Sequence, residues 1–67
     1  MKRFYVIPKY DMHAWPHTWV KGREYECIDK EKWITLASEQ GQVNYKKPLI
    51  DENGKDWFDN LFVKAMS

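Results

Sequence analysis

Four side chains in the first half of the chain have the chemistry of metal ligands: Asp11, His13, His17 and Cys27. A zinc site needs three or four such ligands that converge with tetrahedral geometry. The spacing of the first three, D-x-H-x-x-x-H, matches no established zinc motif. Cys27 lies in a predicted strand, where a small buried hydrophobe is the simpler interpretation. We therefore expect no metal site and no cofactor.

The acidic residues Asp51, Glu52 and Asp56, with Asn53 among them, have the composition of a calcium-binding loop. The required order of ligands, with a glycine at the sixth position and a distal glutamate, is absent. No serine or cysteine lies in a signature that would pair it with a histidine base, and a chain this short has little mass for a deep cleft. The sequence therefore predicts no catalytic residues and a protein that is not an enzyme.

Most of the side chains that suit a binding surface lie between Lys9 and Trp19, a segment rich in aromatic residues and histidine. Trp, Tyr and Arg are the residue types enriched at interface hot spots. The same side chains could stack on single-stranded nucleic acid while cations contact its phosphates. The alternative is that these aromatics only cover an undersized core. The predicted binding residues are Tyr10, His13, Trp15, His17, Trp19, Lys21 and Arg23.

The charge of the chain helps to choose between these partners. Its net charge is +1, and basic and acidic residues are mixed along the sequence without a basic stripe. Because phosphate binding needs concentrated positive charge, we favour a protein partner and keep nucleic acid as the alternative. If the aromatic segment serves a partner, at least one of Tyr10, Trp15 and Trp19 should be exposed.

The length of 67 residues predicts one domain, residues 1–67. Such a chain buries only about 60% of its unfolded surface, so its four Trp, four Tyr and three Phe are needed for a core. One cysteine allows no internal disulfide, which favours a cytoplasmic setting. No apolar run is long enough to span a bilayer, and the run after Arg3 is too short for a signal peptide.

Five short segments have the composition of β-strands. They are residues 3–7, 20–28, 33–37, 43–45 and 62–64. The first contains only apolar and aromatic residues after its arginine and is expected to be buried on both faces or to lie near the centre of the sheet. The second and third are expected to pair as a meander. Segment 43–45 is either a strand or a crossing connection.

The connections between these strands differ in how clearly the sequence defines them. Residues 9–19 show neither the period of a strand nor that of a helix, so we expect a long loop. Ser38–Gln42 is polar, with Gly41 as the residue of positive φ. Near the C-terminus, Asp59 and Asn60 are expected to cap one helical turn, with a short helix over residues 60–65 as the alternative.

The strongest local signal is a β-hairpin within Pro48–Phe62, centred on Asn53–Gly54. A type I′ loop would need positive φ at both central residues and would set two aspartates opposite each other. A type I turn on Asp51–Gly54 needs positive φ only at the glycine and sets Asp51 opposite Lys55. The opposite-charge pair favours the type I turn.

Two segments of the chain resemble the small SH3-like β-barrel proteins that bacteriophages and prophages encode. They are Lys21–Ile28, KGREYECI, and Ile50–Phe58, IDENGKDWF, and the resemblance covers roughly residues 20–63. It implies a small phage or prophage protein that binds and modulates a host or phage protein. The acidic and aromatic positions with which eukaryotic SH3 domains bind proline-rich peptides have no match here, so that activity is not implied.

These observations together predict a mainly β fold, a single small SH3-like, partly open five-stranded barrel with one short helical turn near the C-terminus. Its function is expected to be that of a non-enzymatic binding module. The side chains expected in its core are Phe4, Val6, Tyr25, Cys27, Ile34, Leu36, Leu49, Trp57 and Phe62.

Overall fold

The strand-forming segments assemble into one antiparallel sheet, to which a separate hairpin is attached. The computed structural model describes residues 1–65. Its elements in chain order are β1 (Lys2–Pro8), β2 (Met12–Ala14), β3 (His17–Trp19), β4 (Tyr25–Asp29), β5 (Trp33–Ser38), β6 (Gly41–Lys46), α1 (Trp57–Leu61) and β7 (Phe62–Lys64). The five-stranded sheet has the order β6-β5-β4-β1-β7, and β2 and β3 form a two-stranded sheet of their own. The fold is mainly β, with one short helix near the C-terminus, as predicted.

The predicted meander is confirmed, because β4 and β5 pair antiparallel with Cys27 opposite Leu36. The uncertain segment 43–45 is part of a six-residue strand, β6, that pairs with β5 along its whole length. Gly41 has the predicted positive φ, 147°. The last strand, β7, returns to pair with β1. Strands β6 and β7 are the two edges of the sheet and do not pair with each other, so the sheet is open.

Of the two alternatives expected for residues 3–7, a place inside the sheet is confirmed, because β1 pairs with both β4 and β7. Burial on both faces is wrong. Val6 is buried, whereas Tyr5 lies on the opposite face and is exposed. An antiparallel sheet can pack one face on the core and leave the other in water, and aromatic residues are tolerated on both. Composition alone could not distinguish this arrangement from a strand with two buried faces.

The expectation of a long loop over residues 9–19 is also wrong. Strands β2 and β3 pair antiparallel, with Met12 opposite Trp19 and Ala14 opposite His17. Trp15 and Pro16 connect them through a cis peptide bond. We call β2, β3 and this two-residue connection the aromatic hairpin. Its strands are too short to show a period of two in the sequence.

The turn within Pro48–Phe62 forms as predicted. Gly54 has a φ of 77°, and Asn53 is not among the residues with positive φ. Asp51 and Lys55 lie opposite each other, joined by a hydrogen bond from Asp51 N to Lys55 O of 2.8 Å. The arms are shorter than a regular hairpin, because the ladder consists of one bridge between Ile50 and Asp56.

Helix α1 begins directly after this bridge and earlier than predicted. Its N-cap is Asp56, whose side chain accepts a hydrogen bond from the backbone N–H of Asp59. The predicted caps, Asp59 and Asn60, lie inside the helix instead. The side chains of Asp56 and Asp59 are both suitable helix caps. The bridge between Ile50 and Asp56 places Asp56 at the boundary of the helix.

The core lies between the inner face of the sheet, the aromatic hairpin and α1. Six of the nine predicted core residues are buried: Val6, Tyr25, Cys27, Ile34, Leu36 and Phe62. Phe4, Leu49 and Trp57 are only partly buried and pack against this cluster. Two aromatics outside the predicted core set, Trp19 and Phe58, are also buried.

Candidate functional site

Side-chain and backbone hydrogen bonds attach strand β3 of the aromatic hairpin to the β5–β6 turn. The backbone N–H of Thr18 donates to Gln40 Oε1 at 2.6 Å, and Gln40 Nε2 donates to Thr18 Oγ1 at 2.6 Å. The backbone N–H of Glu39 donates to Thr18 O at 3.0 Å. These bonds join residues about 20 positions apart, so only the folded chain can form them.

Two further contacts anchor the side chains of β3. The indole Nε1 of Trp19 donates to the carbonyl oxygen of Ala37 at 2.7 Å, which satisfies the one polar atom of a buried side chain. Its ring meets the edge of Phe62 at a centroid distance of 6.4 Å. Nδ1 of His17 lies 2.6 Å from Oγ of Ser38. Trp19 and His17, both predicted binding residues, therefore hold the hairpin on the sheet.

A second network fixes the chain directly after the hairpin. The backbone N–H of Val20 donates to the hydroxyl of Tyr25 at 2.7 Å, and that hydroxyl donates to Glu39 Oε2 at 2.5 Å. Arg23 Nη1 contacts Glu39 Oε1 at 2.8 Å. The hydrogen bond from Tyr25, followed by the one from Arg23, lowers the pKa of the Glu39 carboxyl. Burial is the main cause that raises the pKa of Tyr25.

Within residues 1–65, no such hydrogen bond holds the side chains at the opposite end of the aromatic hairpin. The side chain of Trp15 is 86% exposed at the tip, and Tyr10, just before β2, is 58% exposed. The ring of His13 approaches Trp15 edge-on at a centroid distance of 6.2 Å. The prediction that at least one of the three aromatics is exposed is confirmed for these two. Trp19 is 5% exposed and belongs to the core.

An apolar cleft of about 350 Å³ separates β2 from α1. On one side lie residues of β2, on the other lie residues of α1 and the start of β7, and side chains of the sheet and of β3 form the base. The lining residues are Met12, His13, Ala14, Trp19, Leu36, Tyr45, Trp57, Leu61 and Phe62. Burial raises the pKa of Tyr45. The lining residues other than His13 are apolar or aromatic.

The seven predicted binding residues do not form one surface. Trp15 and His13 lie together at the tip and rim of the cleft, and Tyr10 is exposed nearby in sequence. Trp19 and His17 serve the anchor. The side chain of Arg23 is engaged by Glu39, and Lys21 donates its backbone N–H to Asp11 Oδ1 at 2.8 Å.

The cleft itself was missed, because its two sides are distant in sequence and no local pattern joins them. The sequence signal for one side of the cleft was the pair of short segments that flank the Trp15–Pro16 dipeptide and form the aromatic hairpin.

Within residues 1–65, no three His, Cys, Asp or Glu side chains are close enough to hold a metal ion. Cys27 is fully buried, and burial raises the pKa of its thiol to about 11. A thiol with that pKa is almost entirely protonated at neutral pH and is a poor nucleophile. The hydrogen bond from Lys47 lowers the pKa of Asp29, which is therefore held as a carboxylate in an ion pair of 2.6 Å.

No family model matches the chain, and no curated protein and no solved structure is significantly similar to it. The helix in the described part of the chain is also too short to cross a membrane. The site must therefore be interpreted from its own geometry.

Proposed function

We propose that this protein is a non-enzymatic binding module that captures a protein partner through the aromatic hairpin. The observation that carries this proposal is the exposure of Trp15, whose side chain is 86% exposed at the tip of the aromatic hairpin. Strand β3 of that hairpin is fixed by hydrogen bonds to the sheet and to the β5–β6 turn. Exposure of so large an apolar side chain has an unfavourable hydration free energy, and an interface would recover it. Tryptophan is also the residue type most characteristic of interface hot spots.

Anchoring of the hairpin matters because ordering a loop on binding reduces affinity. The hydrogen bonds of Thr18 and the indole of Trp19 have already fixed β3 in the free protein. Trp15 is thus presented by a preorganised element. The apolar cleft beside it offers a complementary feature, a concave surface that could take an apolar side chain of the partner. A projecting tryptophan next to a cleft suits a partner that has one pocket and one protruding residue.

The setting of this activity follows from the resemblance to SH3-like proteins of bacteriophages and prophages. We propose a small, partly open SH3-like barrel that acts in the bacterial cytoplasm on a host or phage protein. The open sheet of five strands, in which the last strand pairs with the first, supports a small, mainly β fold that is partly open. The partner should then be sought among bacterial and phage proteins.

Nucleic acid is the less favoured ligand for the aromatic hairpin. Three cations could assist it, and Arg23 is already paired with Glu39. Lys9 Nζ donates to the carbonyl oxygen of Asp59 at 3.2 Å. Phosphate contacts by the remaining cation, Lys21, would supply little affinity at physiological salt. A protein interface needs no such concentration of charge, so the hairpin favours a protein partner.

The test is affinity capture from a bacterial lysate with and without nuclease treatment, followed by binding measurements with the purified partner. Trp15→Ala should weaken binding by about 2 kcal/mol or more, as loss of a hot-spot residue does. Ala14→Arg, which places a long charged side chain at the rim of the cleft, should weaken it as well. Trp33→Ala removes another exposed tryptophan from a different surface and is the matched control.

Melting curves must show that each variant is folded. Binding that Trp15→Ala and Ala14→Arg leave unchanged would place the interface elsewhere. Capture that depends on intact nucleic acid would favour the alternative ligand.

A further inference from the structure

The outer face of the five-stranded sheet, opposite the core, carries a second group of exposed aromatic and basic side chains. Residues directly opposite each other in an antiparallel ladder project on the same side. Trp33 is opposite Lys46 of β6, and its carbonyl oxygen accepts a hydrogen bond from the N–H of Lys30 at 2.8 Å. These three side chains therefore form a row at one end of the face. We call this row, with its neighbours Arg3, Tyr5 and Asn44, the basic sheet face.

Two aromatic rings on the basic sheet face are open to a ligand. Trp33 is 44% exposed and Tyr5 is 45% exposed, and neither ring stacks on another ring within residues 1–65. The strand spacing and rise place them roughly 17 Å apart. Beside Trp33 lies a shallow depression of about 260 Å³, lined also by Lys30 and Asn44. The hydroxyl of Thr35 donates to Asn44 Oδ1 at 2.7 Å and orients that amide.

Charge is concentrated at the same end of the molecule. Six of the 11 Lys and Arg residues lie there, on β1, on the β4–β5 turn and at the end of β6, with only three of the 10 Asp and Glu residues. Two of those three acids are already paired, Glu26 with Arg3 at 3.3 Å and Asp29 with Lys47 at 2.6 Å. Among residues 1–65, the side chains of Lys2, Lys30, Lys32 and Lys46 are in no ion pair. The net charge of +1 conceals this local excess.

We propose that the basic sheet face binds single-stranded nucleic acid. Trp33 stacks on one base, Tyr5 provides a second stacking surface, and Lys30 and Lys46 contact the phosphates on either side. This combination of stacking rings and flanking cations is the general chemistry of single-strand binding without strong sequence preference. The site lies on a different surface from the aromatic hairpin, so it is independent of the function proposed above.

Two features favour a single strand over other anionic partners. A base must be unpaired to stack on Trp33 or Tyr5, whereas in a duplex only the edges and the backbone are accessible. An anionic protein or a lipid surface could use the cations, whereas a planar base can use the ring of Trp33, the depression and its amide together. Asn44 supplies the hydrogen-bonding group that a base edge can use.

The test is fluorescence anisotropy of a labelled oligothymidylate of about 12 nucleotides, a length in the range bound by small β domains. We expect binding at 50 mM salt that weakens steeply as salt rises. Lys30→Gln with Lys46→Gln should reduce the slope of log K against log salt by about 1.4, since each phosphate contact on a single strand contributes about 0.7. Trp33→Ala should weaken binding by about tenfold or more, because base stacking is lost.

Matched controls separate this site from the rest of the molecule. Lys55→Gln removes a lysine from the Asp51–Gly54 turn and should leave the salt slope unchanged. Trp15→Ala removes the exposed tryptophan of the aromatic hairpin and should leave oligonucleotide binding unchanged while it weakens protein capture. Trp33→Phe keeps a ring and should retain most of the affinity. The lysine variants are exposed and serve as the test should Trp33→Ala fail to fold.

Several outcomes would overturn the proposal. They are absence of binding at 50 mM salt, equal affinity for the duplex of the same sequence, and binding that Trp33→Ala and the double lysine variant leave intact. Loss of oligonucleotide binding with Trp15→Ala instead would move the nucleic-acid site to the aromatic hairpin. Preference for vesicles with anionic lipid over the oligonucleotide, sensitive to the same variants, would also overturn it.

Discussion

Two hairpins lie outside the meander of β4, β5 and β6, and the one with the weaker sequence signal has the longer strand ladder. The turn at Asp51–Gly54 has the strongest local signal in the chain, yet its ladder is a single bridge between Ile50 and Asp56. The aromatic hairpin has no periodic pattern, yet it forms three residue pairs and is hydrogen-bonded to the β5–β6 turn. One hairpin is defined by its own backbone preferences, and the other by the sheet on which it lies.

This difference shows that the strength of a local signal and the stability of an element are separate quantities. A turn sequence selects φ and ψ for a few residues and determines little beyond them. Long-range hydrogen bonds and burial of a side chain such as Trp19 stabilise an element whatever its intrinsic preference. Substitutions in the two hairpins should therefore differ in size, with the greatest loss at the tertiary anchor.

The largest effect is expected at Trp19. Trp19→Ala removes a buried ring and the hydrogen bond to Ala37, and it should lower the free energy of unfolding by about 3–5 kcal/mol. Trp57→Ala, in the second hairpin, should cost less because Trp57 is only partly buried. Chemical denaturation of both variants measures the difference. If the two losses were equal, or their order reversed, the aromatic hairpin would not be the more strongly anchored one.

A smaller effect is expected at the turn. Gly54 has a φ of 77°, a conformation that alanine adopts with a strain of about 1–2 kcal/mol. Apart from Gly54 and its two chain neighbours, no residue among 1–65 has an atom within 4 Å of the position that a β-carbon would occupy. Gly54→Ala should therefore show the cost of the backbone conformation alone. Gly54→Asn, which tolerates positive φ better, is the control and should recover part of the loss. A neutral Gly54→Ala would mean that the turn contributes nothing to stability.

A pH-dependent contribution is expected from Glu39, which joins Tyr25 and Arg23 behind the hairpin. Its pKa is below the ordinary value of 4.5 in the folded protein, so it adds stability that is fully present above pH 4.5. That stability is lost as the pH falls through the folded pKa. Thermal melts of the protein and of Glu39→Gln between pH 3 and 6 should converge at the acid end. A constant difference across this range would contradict the assignment.

The smallest effect on stability is expected at Trp15. Its side chain is 86% exposed, and its ring lies 6.2 Å from that of His13, so Trp15→Ala should change the free energy of unfolding by less than about 0.5 kcal/mol. Trp15→Ala and Trp19→Ala, four residues apart, together test whether one tryptophan of the hairpin contacts a partner while the other anchors the hairpin to the sheet. A large loss of stability at Trp15 would make it a structural residue rather than a contact for a partner.

Much of the sheet could be predicted from the sequence, because local composition is informative where strands alternate with turn residues. Strands β1 and β5 and the pairing of β4 with β5 follow from β-branched and aromatic segments between charged or glycine-containing turns. The boundary of α1 could not be predicted, because Asp56 and Asp59 are both suitable caps. The bridge to Ile50 decided between them.

The candidate site could be predicted only in part. The residue types between Tyr10 and Trp19 indicated a binding segment, but not which aromatic faces solvent. Trp19 is the buried one because it contacts Ala37 and Phe62, which lie far along the chain. The basic sheet face could not be predicted either, since its lysines come from separate segments that only strand pairing brings together.

The sequence by itself determined the local conformations, because these depend on the covalent chemistry of a few neighbouring residues. Gly54 takes the positive φ that its lack of a side chain permits, and Tyr25 and Cys27 point inward because a strand alternates. The tertiary structure alone decided that Trp19 is buried and Trp15 exposed. Hydrogen bonds between β3 and the β5–β6 turn, about 20 residues apart, fix the orientation of the hairpin, and no local pattern encodes contacts at that distance.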